Sequence, residues 1–374
     1  MSYITRACVA AAAGIALAAG GVTGASASAA APRALQAVTV TGAGTSLAAT
    51  SPGAQLWAAR YDNTGNGGAT SVAVSPDGKT AFVTGYTTAA GAEDYATVAY
   101  NAATGAQLWA ARYDSPSNNG AAAEVAVSPD SKAVFVTGSS LGTPTGEDYA
   151  TVAYNAATGA QLWASRYNGA SNGDRGANSV AVSGSTVFVT GSSYGGSTAN
   201  YDYATVAYSA ATGAQLWVKR YDGPGSGDDQ AYSVAVSPNG KAVYVTGYTG
   251  TSSTTAGYDY TTIAYSAATG AQLWLARYNG PGNFTDEAYS VAVSPSGGTV
   301  YVTGESAGTG DGWDCATVAY DAATGAQLWV ERYDGAGLGS KAFSVAVSPT
   351  AGTVFVTGYS VDGGSDYATV AYNG

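Results

Sequence analysis

The 374-residue chain contains no histidine. That absence removes Ser-His-Asp and Cys-His nucleophilic chemistry and the most common zinc ligand. Cysteine is scarce as well: Cys8 falls within the first thirty residues and Cys315 stands alone in the remainder. With a leader removed, no intrachain disulfide is available, so stability has to come from packing. There are only five lysines, and the formal net charge is -11. Nucleic acid is therefore not an expected partner, because phosphate backbones are held by clustered Lys and Arg. Beyond the leader no apolar run approaches the roughly 20 residues that span a bilayer, so no transmembrane anchor is expected in the mature chain.

Residues 1–30 have the pattern of a secretion signal: Arg6, an apolar stretch from Cys8 to Val22, then the small-residue run ASASAA. The mature protein is accordingly expected to be secreted and extracellular. Cys8 stands at the start of the apolar stretch instead of marking a cleavage site, which argues against a lipid anchor.

The rest of the chain is dominated by one pattern written six times. SVAVSP or a close variant begins at positions 71, 124, 179, 233, 290 and 344, and VTG ends at 85, 138, 191, 247, 304 and 358. The phrase DYATVAY or its variant begins at Asp94, Asp148, Asp202, Asp259, Asp314 and Asp366, and GAQLW ends at Trp57, Trp109, Trp163, Trp217, Trp274 and Trp329. The spacing is 52 to 57 residues. Each copy holds four short runs rich in Val, Tyr, Thr and Phe, punctuated by Pro-Asp-Gly or Ala-Thr-Gly turns, which predicts four antiparallel strands. A radial array of such units is an all-β, six-bladed β-propeller spanning residues 53–374. The last copy lacks an outer strand, and GAQLWAARYD at 53–62 is expected to supply it and close the ring. Residues 31–52 form an N-terminal segment in which AVTVTG (37–42) matches AVFVTG (133–138), so a seventh, degenerate blade is the alternative.

The region from about 53 to 374, with DYATVAYNAATGAQLWAARYD (94–114) and its VAVSP and VTG hairpins, resembles the bacterial SBBP β-propeller repeat family. VAVSPDGKTAFVTG (72–85) is similar to the YVTN propeller repeat, and Ala319–Trp329 fits the tryptophan-docking pattern of quinoprotein propellers. The last likeness implies a packing device, a Trp wedged between blades. It does not imply quinone chemistry: such dehydrogenases typically have eight blades, a vicinal cysteine pair and a calcium site, which this sequence does not reproduce. No cofactor is expected, and calcium is the one ion the acidic loops would suit.

Residues repeated in every copy are read as structural. These are the six Trp and six Asp above, with Arg60, Arg112, Arg166, Arg220, Arg277 and Arg332 near the ends of the outer strands, at the same rim as the Asp. Function is sought where the copies differ, in the loops entering each inner strand and joining strands two and three. There lie Asp228, Asp229, Phe284, Asp286, Glu287, Glu305, Asp311 and Trp313, with Tyr194, Tyr201 and Tyr258 nearby. Aromatic faces beside carboxylates suit sugar rings and hydroxyls, or a calcium-assisted form of that contact. Glu124 replaces the serine that begins the other SVAVSP copies, as a channel carboxylate reaching water or a cation. DNTGN (62–66) is a weak calcium-loop pattern. The leading reading is a non-catalytic module that binds an extracellular glycan, cell-wall component or protein. The alternatives are a carboxylate-dependent hydrolase or lyase using Glu305, Asp286 or Glu124, and a structural surface protein.

Overall fold

The computed structural model describes residues 53–61, 66–89, 92–114, 119–142, 146–169, 176–195, 200–225, 227–250, 257–310, 312–335, 339–361 and 364–374. The leader, the AVTVTG segment, Asp62 to Gly65 of the DNTGN loop and Asp311 lie outside them.

The described residues are all β, in six sheets, as the repeat predicts. Blade one comprises β1 (Gly67–Val74), β2 (Thr80–Ala89), β3 (Ala92–Asn101) and β4 (Gln107–Tyr113). Blade two comprises β5 (Gly120–Val127), β6 (Ala133–Leu141), β7 (Glu147–Asn155) and β8 (Gln161–Tyr167). Blade three comprises β9 (Ala177–Ser183), β10 (Thr186–Tyr194), β11 (Tyr201–Ser209) and β12 (Gln215–Tyr221). Blade four comprises β13 (Asp229–Val236), β14 (Ala242–Gly250), β15 (Tyr258–Ser266) and β16 (Gln272–Tyr278). Blade five comprises β17 (Asp286–Val293), β18 (Thr299–Ala307), β19 (Trp313–Asp321) and β20 (Gln327–Tyr333). Blade six has three strands, β21 (Ser340–Val347), β22 (Thr353–Val361) and β23 (Ser365–Asn373).

The repeated phrases now have mechanical meanings. The threonine of VTG bonds the threonine of the third strand, as in Thr190–Thr205 at 3.1 Å and Thr246–Thr262 at 2.9 Å, which closes two buried hydroxyls on each other. The glycine of VTG faces a β-bulge in the inner strand. At Gly247 an added Cβ would collide with the backbone oxygen of Gln230, so only glycine allows that approach. The core lies between sheets: Tyr149, Ala153 and Trp163 of blade two pack with Val180, Val187 and Val206 of blade three. No helix among the described residues is long and apolar enough to cross a membrane.

Each end of the array exposes a face that the interior blades bury. Val72 of β1 is 65% exposed, whereas its counterparts Val125, Val180, Val291 and Val345 are buried under the preceding blade. Tyr367 of β23 is 86% exposed, whereas Tyr95, Tyr149, Tyr203 and Tyr260 are fully buried. Each of those four donates its hydroxyl to a carbonyl of the next blade, for example Tyr203 to Thr261 at 3.0 Å. Trp57 already docks on blade one, its indole N–H donating to Ala102 O at 2.9 Å as Trp109 donates to Ala156 O at 2.8 Å. Residues 53–61 thus sit where the outer strand of a blade preceding blade one belongs, while β23 pairs only with β22 among the described residues. Ring closure would pair that segment with β23 and cover Val72 and Tyr367. Hydrogen exchange tests it: amides of 54–60 are expected to exchange as slowly as those of β4, and rapid exchange throughout the segment would refute closure.

Candidate functional site

At the rim where inner strands begin, the recurrent Asp and Arg form ion pairs. Arg112 meets Asp94 at 2.5 Å, Arg166 meets Asp148 at 2.6 Å, Arg220 meets Asp202 at 2.7 Å and Arg332 meets Asp314 at 2.6 Å. Arg332 also donates to Tyr278 Oη of the preceding blade (2.7 Å) and to Ala307 O (2.9 Å), so one guanidinium ties two blades and a loop. Arg277 instead donates to the Tyr221 hydroxyl, while Arg60 and Asp366, at the two ends of the array, are exposed. These four pairs anchor the rim on which the variable loops stand.

Two of the acidic rim residues are turned inward. Asp229 and Asp286 each open an inner strand and are buried. Asp229 Oδ2 accepts from Gly223 N (2.5 Å) and its Oδ1 from Gly250 N (3.0 Å). Asp286 accepts from Gly280 N (2.7 Å) and Ala307 N (3.1 Å) in the same way. Both carboxylates staple the entering loop to the end of the second strand. Burial raises both, Asp229 to about 7, with the neighbouring Asp222 and Asp202 adding to the push. Asp202, Asp222 and Asp229 each place a carboxylate oxygen within 4.8 Å of the others, and Asp202 is already paired with Arg220. Asp228 bridges blades three and four by accepting from Tyr201 N (3.1 Å).

Phe284 and Trp313 do come together. Their rings lie 6.4 Å apart at 50° and wall a cleft of about 480 Å³ between the loop entering blade five and the loop joining β18 to β19. Pro281, Gly282, Ala307, Gly308, Thr309, Gly310 and Gly312 complete its lining, and Phe284 is 53% exposed. A floor rich in glycine between two aromatic walls leaves room for a flat ring and offers peptide groups for hydrogen bonds.

Inward of the cleft a second group gathers at the start of the channel. Glu287 and Glu305 are direct partners across β17 and β18. Tyr289 Oη lies 3.0 Å from Glu287 Oε2 and 2.6 Å from Glu305 Oε1, and burial with these two carboxylates holds its phenol far above the usual range. Lys341 of blade six forms an ion pair with Glu305 and lies 5.6 Å from the centre of the Trp313 ring. An aromatic chain runs beside it through Tyr258, Tyr248, Tyr232, Tyr289, Phe343 and Tyr359, with successive centroids 4.3 to 6.0 Å apart. Tyr232, Tyr289, Phe343 and Lys341 lie on inner strands, which loop comparison alone does not reach. The signal that finds them is the residue just before each inner-strand serine or Glu124: Thr70, Ala123 and Asn178 in blades one to three, then Tyr232, Tyr289 and Phe343. The bulges explain why it projects from the ladder.

Glu124 is turned toward the neighbouring blade. It is buried, and its Oε2 accepts from Val180 N of blade three at 2.6 Å. The serines of other blades do the same work: Ser179 accepts from Val234 N at 3.1 Å and Ser233 from Val291 N at 3.3 Å. Burial pushes Glu124 up to about 8 against the pull of the Val180 and Ser179 bonds. Cys315 replaces the tyrosine of the third-strand phrase and is likewise buried, its thiol pushed up to about 12 by burial.

The sequence pattern of the family described as outer membrane protein assembly factor BamB matches residues 43–202 and 147–374. No curated protein matches the chain. Among solved structures, a chain of the mitotic checkpoint complex superposes with a TM-score of 0.51 at 13% identity, covering 81% of this chain and 78% of that one. Sqt1 of Chaetomium thermophilum, bound to the N-terminus of a ribosomal protein, gives 0.51 at 14% identity over 78% of this chain and 68% of that one. A quinohemoprotein alcohol dehydrogenase from Pseudomonas putida gives 0.50 at 14% identity, with 84% of this chain and 59% of that one covered. At such identities these likenesses carry the fold alone.

Proposed function

This chain belongs to the BamB-type propeller repeat family, and from that premise we propose that it is a secreted, non-catalytic binding module whose rim takes an extracellular glycan. The finer likeness to SBBP-type repeats belongs to the same proposal. The observation that carries it is the cleft between Phe284 and Trp313, with two aromatic walls, a glycine-rich floor and an exposed mouth. Pyranose rings present apolar faces to aromatic rings and hydroxyls to peptide groups, and this cleft offers both. The carboxylates considered for hydrolysis are engaged elsewhere. Asp286 and Glu124 hold backbone N–H groups in the interior, and Glu305 is enclosed by Tyr289 and Lys341. That arrangement favours binding over turnover, because a catalytic pair needs two carboxyl groups facing one substrate bond.

Calorimetric titration with wall and plant oligosaccharides, with and without calcium, is the test. Saturable binding is expected, weakened about tenfold or more in Trp313→Ala, a loss of roughly 1.4 kcal/mol or greater. The melting temperature of that variant without ligand should change little, because Trp313 is only half-buried. Binding indifferent to Trp313→Ala and Phe284→Ala would move the site away from the cleft. A protein or cell-wall polymer that binds where oligosaccharides do not would replace the glycan in this reading.

A further inference from the structure

We infer that the glycan is an extended chain, held from the Phe284–Trp313 cleft onward along a strip of aromatic rings that lines the channel mouth in blades four to six. This rests on the cleft reading and adds the length and path of the ligand.

All six inner strands carry the same β-bulge. In blades one to three the residue it projects is Thr70, Ala123 and Asn178, and in blades four to six it is Tyr232, Tyr289 and Phe343. One backbone thus accepts either small or aromatic side chains, so the fold does not call for the rings. Two of the small residues serve the fold directly. Thr70 donates to Ala122 O at 2.8 Å and Asn178 to Ala231 O at 2.7 Å, each tying its blade to the next. Phe343 has no polar atom for such a tie, and the Tyr289 hydroxyl is turned to carboxylate, 2.6 Å from Glu305 Oε1. At these two positions a tie between blades has been exchanged for ring surface.

Tyr232, Tyr289, Phe343 and Tyr359 are half-buried, so each keeps surface open to solvent. Their centroids follow one another at 5.5, 6.0 and 5.8 Å, which makes one continuous strip across three blades. Single exposed rings are ordinary, whereas a contiguous apolar surface rimmed by polar groups marks a binding groove.

The strip borders the cleft. Lys341 Nζ lies 5.6 Å from the centre of the Trp313 ring and pairs with Glu305, whose other oxygen meets Tyr289. A ligand passes from the cleft wall to the middle of the strip across that one ion pair. The cleft by itself, about 480 Å³, is the size of a site for a single small ligand. A ligand that ended there would leave three blades of aromatic surface uncovered. Rings set beside hydroxyl and charged groups suit a polymer of sugars, in which every unit has an apolar face and a polar edge. An apolar peptide segment would cover the Lys341–Glu305 pair and offer it no hydrogen bond.

The experiment titrates the cellulose, chitin and xylan oligosaccharide series, from two to six units, into the protein and three variants. Affinity is expected to rise about tenfold or more between two and six units of the series that binds. Tyr232→Leu and Phe343→Leu, which keep apolar bulk and remove the ring, should erase that rise and leave the two-unit affinity unchanged. Tyr194→Leu alters a half-buried rim tyrosine of blade three in the same way and should leave the rise intact. Hydroxyl-radical footprinting of the wild type reads the path without any substitution. Six units should protect Tyr232 and Phe343 together with Phe284 and Trp313, and two units only the latter pair. An affinity flat with length, or a six-unit ligand that protects the cleft alone, overturns the inference and leaves the cleft reading standing. A rise that survives both strip variants, or is lost equally in Tyr194→Leu, puts the chain on another path and also overturns it. Binding of no series defeats the inference and the cleft reading together.

Discussion

Glu124→Gln is expected to make the protein more stable than wild type at pH 8 and nearly equal to it at pH 5. Glu124 is buried between blades two and three, and its folded-state pKa is raised from an ordinary 4.5 to about 8. The folded state therefore holds this proton more tightly than the unfolded state does. Its contribution to stability is fully present below the unfolded value and is lost as pH rises through the folded one, which places the window between about 4.5 and about 8. At 1.36 kcal/mol per pKa unit, wild type should lose on the order of 4 kcal/mol relative to the variant across that window. Gln keeps an acceptor for Val180 N and carries no charge, so the variant isolates ionisation from hydrogen bonding. Asp229 and Asp286 are also raised and tilt both curves alike, which is why the difference between the two proteins is the quantity to follow. Urea unfolding at a series of pH values measures it. A difference constant from pH 5 to pH 8 would mean that Glu124 titrates normally and that burial does not hold its proton.

Glu124 also shows where reading the sequence stops. A carboxylate replacing serine on an inner strand looks like a channel ligand, because the channel is what an inner strand borders. Which way the side chain leaves the bulge, and that Val180 N waits across the blade gap, depends on the neighbouring sheet. Asp229 and Asp286 repeat the lesson. An Asp at the edge of a variable loop reads alike whether a ligand or the amides of Gly223 and Gly250 hold it, and only the return path of the loop decides. By contrast the sheets are legible almost residue by residue, because each strand is bounded by its own turn signals and the pattern recurs. Phe284 and Trp313 are legible as departures from the repeat, and the structure adds that they face one cleft. Tyr232, Tyr289 and Phe343 escape a comparison of loops, because the bulge carries the variation into a strand.

Trp217→Ala is expected to cost about 3–5 kcal/mol, the range for removing a large aromatic from a packed interior. Trp217 stands at the junction of blades three and four, buried, its rings near Phe188 (5.9 Å) and Tyr265 (6.2 Å). Its indole N–H donates to Ala267 O at 3.0 Å, so truncation also removes the partner of a carbonyl in the next blade. The repeat couples this tryptophan to one glycine. Gly270 of the Ala-Thr-Gly turn has φ +68°, and a Cβ added there would come within 2.8 Å of the Trp217 ring. Gly270→Ala alone should therefore cost about 1–3 kcal/mol, from left-handed backbone strain and from the clash together. In the double variant the ring is gone, and the strain remains with a contact to the flexible end of Lys219. The two losses should then sum to more than the measured total, by on the order of 1 kcal/mol. A double-mutant cycle by urea unfolding reads this coupling. Strict additivity would mean that the turn and the tryptophan are merely neighbours; the predicted shortfall would make W and the ATG some fifty residues after it, a pairing that occurs five times in the sequence, the two halves of one joint between blades.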